Sequence, residues 1–450
     1  MAGIGLHLRR LMSQRTLASF TVLAYYGFAL AAGPWLASLA TLSGLLLFAP
    51  ASGLVETQTL IRIIVYAFCA SSILAAPWVV LSVRYASDQI YARRLKRIPA
   101  GVHACLAAAA FSSAVGMPLI AGPLVAAGWS AMDVLALSLL AAALAAAWVL
   151  FGAMAYVRWV RSTTFVVGIG AFITVVLSGG LLRIAGHTGA LWGYAVGWLV
   201  MAGGLYLVWR VRCPWEPKWD NRVFRLFRFW TLIAAAWTLF QLGLWIDKIF
   251  FWMHRDRVLL DRYDQFAFLS VLSLLPALAY FLIQMETSFV AAYRTYLARL
   301  HRATWRGIQT AERQMRHVLW QGLRRMGELQ LLTTMLAVAQ ADDLTRAIGA
   351  GPESASLLRW LLLGAAGQVL LMAVIVLLLY FERRWEAFWT AAAFCSLNLL
   401  LSAWSLHWPV EFFGLGYALA ANLSWALGAA LLHARTREIT YLLFADQPLG

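Results

Sequence analysis

The sequence predicts an all-α, polytopic membrane protein with about twelve transmembrane helices in two six-helix lobes, and three observations support this fold class. The 450 residues are 62% hydrophobic and only 12% charged, about half the charged fraction of a typical soluble protein. The apolar residues form runs of roughly twenty, long enough as helices to cross a hydrocarbon core about 30 Å thick. In lipid the backbone N–H and C=O groups must be hydrogen-bonded within the protein, as in a helix or a closed β-barrel. The period-two alternation of a membrane β-barrel is absent, so the runs are predicted to be helices.

The predicted spans fall into two groups of six, separated by a basic loop at 209–228. The N-lobe (19–208) has spans near 19–48, 60–83, 102–127, 134–157, 164–182 and 191–208. The C-lobe (229–434) has spans near 229–252, 266–285, 326–341, 357–381, 387–406 and 413–434. Residues 1–18 form a predicted amphipathic segment and 435–450 a tail. The first apolar run has no preceding cleavage site, so we expect it to be retained.

Charge placement predicts the orientation. Under this map, 28 of the 36 Lys and Arg residues lie in the segments on one side of the membrane. Because cytoplasmic loops collect Lys and Arg, both termini are predicted to be cytoplasmic. The short ninth span, 326–341, is retained on this ground, since without it later basic loops would face outward. The same rule explains the net charge of +16 without invoking nucleic acid.

Sequence signatures of enzymes are missing. The chain has no G-x-x-x-x-G-K-[ST] loop, no H-E-x-x-H motif and no Cys-x-x-Cys pair. No loop exceeds about 45 residues, too short for an ordinary catalytic domain. We therefore expect no enzymatic activity, no cofactor and no metal. The acidic residues near 256–264 alternate with arginines, which is typical of a solvated loop.

The seventh span carries the most informative pattern of polar and aromatic residues. One helical face presents Trp237, Gln241, Trp245, Lys248 and Trp252, and Asp247 lies on a neighbouring face. Indole rings stack on sugars, while amide and ammonium groups donate to hydroxyls. Charges inside a membrane usually face a bundle interior or a wet cavity, so this face is predicted to line a substrate path. Alternatively, Asp247 and Lys248 lie near the outer interface, with Trp252 in an aromatic belt.

Other spans contribute further candidates. Arg62 and Tyr66, on one side of the second span, either line the same path or, in the case of Arg62, simply snorkel to the interface. Gly33 and Pro34 interrupt the first span and form a candidate hinge or a purely structural kink. The amide side chains Gln284, Asn398 and Asn422 are predicted to make hydrogen bonds between helices.

The segment 286–325 predicts a basic amphipathic cytoplasmic helix. One arc of about 140° holds six arginines, and apolar residues from Phe289 to Leu319 fill the opposite arc. The arginine face consists of Arg294, Arg299, Arg302, Arg306, Arg313 and Arg316. Such a helix either lies on anionic lipid or docks a cytoplasmic partner, and the two are compatible.

Three short motifs resemble the PelG family. They are the opening Met1–Gly5 followed by Leu8-Arg9-Arg10, the Ala32-Gly33-Pro34-Trp35 of the first span, and the Trp245-Ile246-Asp247-Lys248 of the seventh. Length and span count agree over the whole chain. PelG is the multispanning inner-membrane component of the Pel exopolysaccharide system, within the superfamily of multidrug, oligosaccharidyl-lipid and polysaccharide (MOP) transporters.

The resemblance implies a function and partners. It implies translocation of a Pel-like, partly deacetylated amino-sugar polymer across the bacterial inner membrane for a biofilm matrix, along a path between the lobes. It also implies a cytoplasmic glycosyltransferase and inner-membrane subunits as partners, and it makes Asp247 the candidate for ion coupling. Three alternatives remain open at this point: a flippase for a lipid-linked oligosaccharide, a small-molecule antiporter of the same fold, and a membrane scaffold for a polysaccharide synthase.

Overall fold

The computed structural model describes residues 36–45, 54–120, 129–154, 160–213, 222–253, 257–347, 349–351 and 353–441. These residues are overwhelmingly helical, as the composition predicts. Among them, nine helical stretches are long and apolar enough to cross a membrane. The all-α fold class is therefore confirmed, while the count of twelve and the orientation remain predictions. The candidate hinge at Gly33 and Pro34, the segment 1–18 and the last nine residues lie outside the described ranges.

The described helices divide into two compact units, and the boundary lies between Gln241 and Leu242, inside a helix. The N-terminal unit contains α1 (Leu36–Leu45), α2 (Leu54–Tyr91), α3 (Ile98–Ile120), α4 (Ala131–Met154), α5 (Val160–Arg212) and the first part of α6 (Arg222–Trp252). The loop predicted at 209–228 is shorter than expected, because α5 extends to Arg212 and α6 begins at Arg222.

Helix α5 contains the fifth and sixth predicted spans, joined by a sharp turn. Ala185 has φ −125° and Gly186 has φ +63°, a left-handed conformation that glycine adopts without steric cost. The two arms then pack closely, because a Cβ at Gly193 or Gly197 would collide with the backbone at Leu177 or Thr174. This G-x-x-x-G spacing lets two membrane helices approach at backbone distance.

Among the described residues, the C-terminal unit contains the rest of α6 and eight further α-helices. They are α7 (Arg257–Leu272), α8 (Leu275–Gln284), α9 (Val290–Arg302), α10 (Trp305–Ala339), α11 (Ala341–Ala347), α12 (Glu353–Tyr380), α13 (Arg384–Ser405) and α14 (Leu415–Arg437). One π-helical turn, Met285–Phe289, joins α8 to α9. The core of this unit is α12, α13 and α14, and these helices approach one another closely at glycines. A Cβ at Gly416, for example, would lie 2.6 Å from the backbone nitrogen of Ser402.

Exposed tryptophans mark both ends of α13. Trp385 and Trp389 are 58% and 60% exposed at its beginning, and Trp404 is 48% exposed at its end. Trp385 and Trp404 are 19 positions apart, which corresponds to about 28 Å along a helix, close to the thickness of the hydrocarbon core. Tryptophan is enriched at both membrane interfaces, so this spacing is typical of a helix that crosses the bilayer.

One sequence expectation about the middle of the chain is wrong. The segment predicted as one basic helix is broken at Ala303, which is extended (φ −108°, ψ 163°), and a new helix, α10, begins after Thr304. The predicted ninth span, 326–341, is helical and forms the second half of α10, and its crossing of the membrane stays a prediction. Near its end Leu331, Leu332 and Met335 are each more than half exposed, as expected for a surface that faces lipid.

Candidate functional site

An ion pair is buried in the C-terminal unit near the end of α6. Asp247 has no exposed side-chain surface, and Lys248 is only 13% exposed. The Lys248 Nζ lies 3.1 Å from Asp247 Oδ2 and donates to the Leu244 carbonyl at 3.0 Å. Each charge thus compensates the other in a region of low dielectric, where an isolated charge would be costly.

The direction of the Lys248 side chain bears on its two interpretations. Lys248 lies one turn before the end of α6, which ends at Trp252. A snorkelling lysine extends toward the nearby interface. Here the ammonium instead turns back to Leu244, one turn deeper along the helix. This geometry favours a role in the interior of the unit over an interfacial one.

Tyr263 of α7 completes the coordination of the carboxylate. Its hydroxyl donates to Asp247 Oδ2 at 2.5 Å and is fully buried. The ring is held edge-on against Phe251, with centroids 4.8 Å apart, and Phe251 stacks on Phe413 at 5.4 Å. The carboxylate therefore accepts from both an ammonium and a phenol, which fixes its position.

Three aromatic rings surround the Lys248 ammonium. Its Nζ lies 5.9 Å from the centroids of Trp245 and Tyr263 and 5.6 Å from that of Tyr417. These distances fall within the range of cation–π attraction. The Tyr417 hydroxyl in turn donates to Gln368 Oε1 of α12, so side chains from α6, α7, α12 and α14 meet here. We call Trp245, Asp247, Lys248, Tyr263 and Tyr417 the lysine cluster.

The lysine cluster needs a close approach of α12 and α14. The Tyr417 ring occupies the space where a Cβ of Gly364 would lie. Any larger residue at 364 would displace the ring from the ammonium. Sequence analysis found neither Tyr417 nor Tyr263, because both are distant in the chain and no local spacing links them to Lys248.

The prediction that the acidic segment near 256–264 is a solvated loop is partly wrong. Residues from Arg257 onward, including Asp261, Arg262 and Asp264, belong to α7. Asp264 accepts a hydrogen bond from Trp252 Nε1 at 2.8 Å, and the Trp252 ring lies 6.3 Å from Trp245. The segment thus positions an aromatic side chain beside the lysine cluster. Arg255 and Asp256 lie outside the described residues.

The remaining predicted path residues are in the N-terminal unit. Trp237 and Gln241 are half-buried on α6, and the Trp237 ring lies 5.4 Å from Phe240. Arg62 and Tyr66 are half-buried and lie one turn apart on α2. Their participation in a substrate path stays a prediction.

Two of the three predicted amide contacts are confirmed. Asn398 Nδ2 of α13 donates to the Gly243 carbonyl of α6 at 2.9 Å. Asn422 Nδ2 of α14 donates to the Leu363 carbonyl of α12 at 3.1 Å. The prediction for Gln284 stays untested. Asn398 therefore ties α6 to the core of the C-terminal unit within two turns of Lys248.

The arginines predicted to share one helix are divided between α9 and α10. Arg294, Arg299 and Arg302 are exposed on α9, and Arg306 and Arg313 are exposed on α10. Arg316 is partly buried, 3.7 Å from Glu312.

The apolar faces of α9 and of the first half of α10 pack against the protein itself. The ring centroids of Phe289, just before α9, and Tyr380 lie 5.3 Å apart, and Tyr296 of α9 is hydrogen-bonded to Thr440 at 2.9 Å. Met315 and Leu319 of α10 are almost completely buried. These stretches therefore present arginines rather than an apolar surface that could enter lipid.

Comparisons with known proteins give the family and the fold. The model of the PelG family, described as "Putative exopolysaccharide Exporter (EPS-E)", matches residues 1–444. A search of curated proteins found no match. Among solved structures, an outward-facing multidrug resistance MATE family transporter of the MOP superfamily is similar at 12% identity with a TM-score of 0.64, covering 98% of this chain and 100% of that one.

Two further structures have the same fold. A MOP superfamily transporter from Pyrococcus furiosus aligns at 12% identity and a TM-score of 0.64, covering 93% of this chain and 95% of its own. The Vibrio cholerae MATE transporter VcmN in its bent form aligns at 14% identity with a TM-score of 0.60, covering 94% of this chain and 98% of that one. At these identities the likeness establishes the transporter fold alone. The family match covers nearly the whole sequence, and together they identify a multi-pass membrane transporter rather than an enzyme: the chain belongs to the PelG family of exopolysaccharide exporters.

Proposed function

We propose that this chain moves a Pel-like, partly deacetylated amino-sugar polymer across the bacterial inner membrane, and that the lysine cluster contacts the polymer. The family and the fold support polysaccharide transport. The observation that carries the finer proposal is the buried Asp247–Lys248 pair surrounded by Trp245, Tyr263 and Tyr417. Buried charge inside a membrane helix is costly, and this pair lies among rings of the kind that bind sugars.

The chemistry of the lysine cluster suits an uncharged or weakly charged sugar. An ammonium has three donors, and Lys248 Nζ donates to the Leu244 carbonyl at 3.0 Å and to the two Asp247 carboxylate oxygens at 3.3 and 3.1 Å. A sugar hydroxyl or an acetamido oxygen would take the place of one carboxylate oxygen. The indole of Trp252, which is partly exposed, supplies an apolar face for a pyranose ring, and Trp245, 4% exposed, supports it from the interior. Asp247 and Tyr263 act as positioning residues that hold the ammonium.

A polymer-export assay tests this proposal. Single removal of Lys248 would leave Asp247 unpaired, so the informative change is Asp247→Asn with Lys248→Gln, which removes both charges and keeps similar shapes. We expect this double variant and Trp245→Phe to lose polymer export at equal membrane abundance, with the synthase complex still assembled. Trp389→Phe, at an exposed position of α13, is the matched control. Export at the wild-type level in the double variant would refute a role for the lysine cluster.

The competing function is small-molecule antiport, which the buried carboxylate Asp247 favours. In that case Asp247→Asn alone abolishes efflux of cationic dyes from energised vesicles, and polymer export is unaffected. If the chain is a flippase, changing the lysine cluster should block flipping, and a lipid-linked oligosaccharide should accumulate on the inner leaflet. A scaffold would lose complex assembly and export together. These readouts separate the four functions.

We also propose that the exposed arginines of α9 dock the polymer-synthesising glycosyltransferase. Since the apolar face of α9 is packed inside the unit, the exposed guanidinium groups offer an electrostatic surface. Reversing Arg299 and Arg302 to Glu should release the glycosyltransferase from the purified complex. Reversal of Arg324 and Arg346, both exposed, should not. Retention of the enzyme by the first variant would favour contact with anionic lipid instead.

A further inference from the structure

A basic cavity lies between α10 and the C-terminal end of α14, apart from the lysine cluster. Its volume is about 350 Å³, and its lining includes three arginines, two histidines and a tryptophan. They are Arg313, Arg316, His317 and Trp320 of α10, with His433 and Arg437 of α14. This volume is within the range of small-ligand pockets, which are about 300–1,000 Å³. Both helices belong to the C-terminal unit.

Both helices that line the cavity have buried apolar residues beside it. Met315 and Leu319 of α10 and Leu432 of α14 are almost completely buried. Trp320 and His433 face each other across the two helices with ring centroids 5.3 Å apart and planes at 70°. The contact between Trp320 and His433 therefore brings the basic side chains of α10 and α14 to one place.

The positive charge of the cavity is largely uncompensated. Two acidic residues lie near the cavity, and each has a partner. The Glu312 carboxylate accepts from Thr440 Oγ1 at 2.6 Å and lies 3.7 Å from Arg316, and Glu438 lies 3.9 Å from Arg435. Within the described part of the chain, neither Arg313 nor Arg437 forms an ion pair, and both are exposed. Two guanidinium groups thus flank the cavity without a carboxylate partner, and a third lies beside them.

We propose that this cavity binds a phosphate group, carried either by the headgroup of an acidic phospholipid or by a soluble phosphate ester. Guanidinium groups match phosphate oxygens in a bidentate geometry, and several of them suit an anion with more than one acceptor oxygen. The indole of Trp320 offers an apolar wall for the group that carries the phosphate.

The experiment compares two double variants of the full-length chain. Arg313→Gln with Arg437→Gln removes two arginines of the cavity. Arg324→Gln with Arg346→Gln removes two exposed arginines elsewhere, 81% and 75% exposed. Each protein is placed in nanodiscs of phosphatidylcholine and titrated with inorganic pyrophosphate by calorimetry. In parallel, native mass spectrometry in detergent counts bound phosphatidylglycerol against phosphatidylcholine.

The two arms distinguish the sources of the phosphate. If the ligand is soluble, pyrophosphate binds the wild type and the control variant, and the cavity variant binds at least tenfold more weakly. If the ligand is a lipid, pyrophosphate binding is absent, and the cavity variant alone loses its selectivity for phosphatidylglycerol. If the cavity variant behaves like the control in both arms, the proposal is wrong. Equal thermal stability of the two variants shows that the changes did not unfold the chain.

Discussion

Neutralising one member of the Asp247–Lys248 pair should cost nearly as much free energy of unfolding as neutralising both. At the observed 3.1 Å and an effective dielectric of about 20, the Coulomb attraction is ~5 kcal/mol. Desolvation of the two ions offsets much of it, while removal of one partner from a buried pair costs about 3–5 kcal/mol. Because Lys248 keeps a small exposed fraction, we expect about 3 kcal/mol for Asp247→Asn and for Lys248→Met. Their combination should be less destabilising than the sum by about 2 kcal/mol.

The measurement is a double-mutant cycle on the purified chain, unfolded reversibly by detergent titration in mixed micelles. The four proteins give the coupling energy directly. The matched control is the exposed pair Asp343–Arg346, whose atoms lie 2.6 Å apart with both side chains at least 75% exposed. There we expect coupling below about 1 kcal/mol. Additivity at Asp247–Lys248 within about 0.5 kcal/mol would refute the inference that the pair is formed and buried.

Three further predictions test the surroundings of the site. Tyr263→Phe removes a donor to a buried carboxylate and should cost about 1.5–3 kcal/mol in the same unfolding assay. Gly416→Ala places a methyl group against the backbone of α13 and should destabilise by about 1–3 kcal/mol, whereas Gly327→Ala, which meets no atom within 4 Å, should stabilise its helix by about 0.5–1 kcal/mol. Burial raises the pKa of the Cys213 thiol, so a water-soluble maleimide should label this cysteine far more slowly at pH 7 than a free thiol. Its labelling rate should keep rising with pH beyond the usual thiol range.

Spacing along one helix predicted part of the lysine cluster. Trp245 and Lys248 lie three residues apart on α6, so their proximity follows from helical periodicity alone. Tyr263 and Tyr417 join them from α7 and α14. No spacing rule connects residues so far apart in the chain, and Tyr263 stands between Arg262 and Asp264, where a charged segment conceals a buried ring. The cluster needed tertiary structure to be complete.

The break between α9 and α10 was missed for a different reason. Helical periodicity sorted the arginines from the apolar residues across 289–319, and burial confirms that sorting on both sides of the break. Ala303 is extended, but neither Gly nor Pro marks the position, and the apolar pattern resumes with the same phase. Amphipathic pattern thus predicts which face is buried, while the end of a helix depends on local backbone geometry that this pattern does not record.

The composition of the lysine cluster argues that it is maintained for a purpose other than stability. A buried ion pair is generally no more stable than well-packed apolar residues of the same volume, and in a membrane the cost of the charges is greater still. Here Tyr263 and Tyr417 also surround a single ammonium, and Gly364 leaves room for the Tyr417 ring. Asp247 is completely buried, whereas Lys248 keeps some exposed surface, so only the cation is placed to meet a ligand. This asymmetry is consistent with the proposed site for sugar hydroxyls, in which the carboxylate holds the ammonium in position.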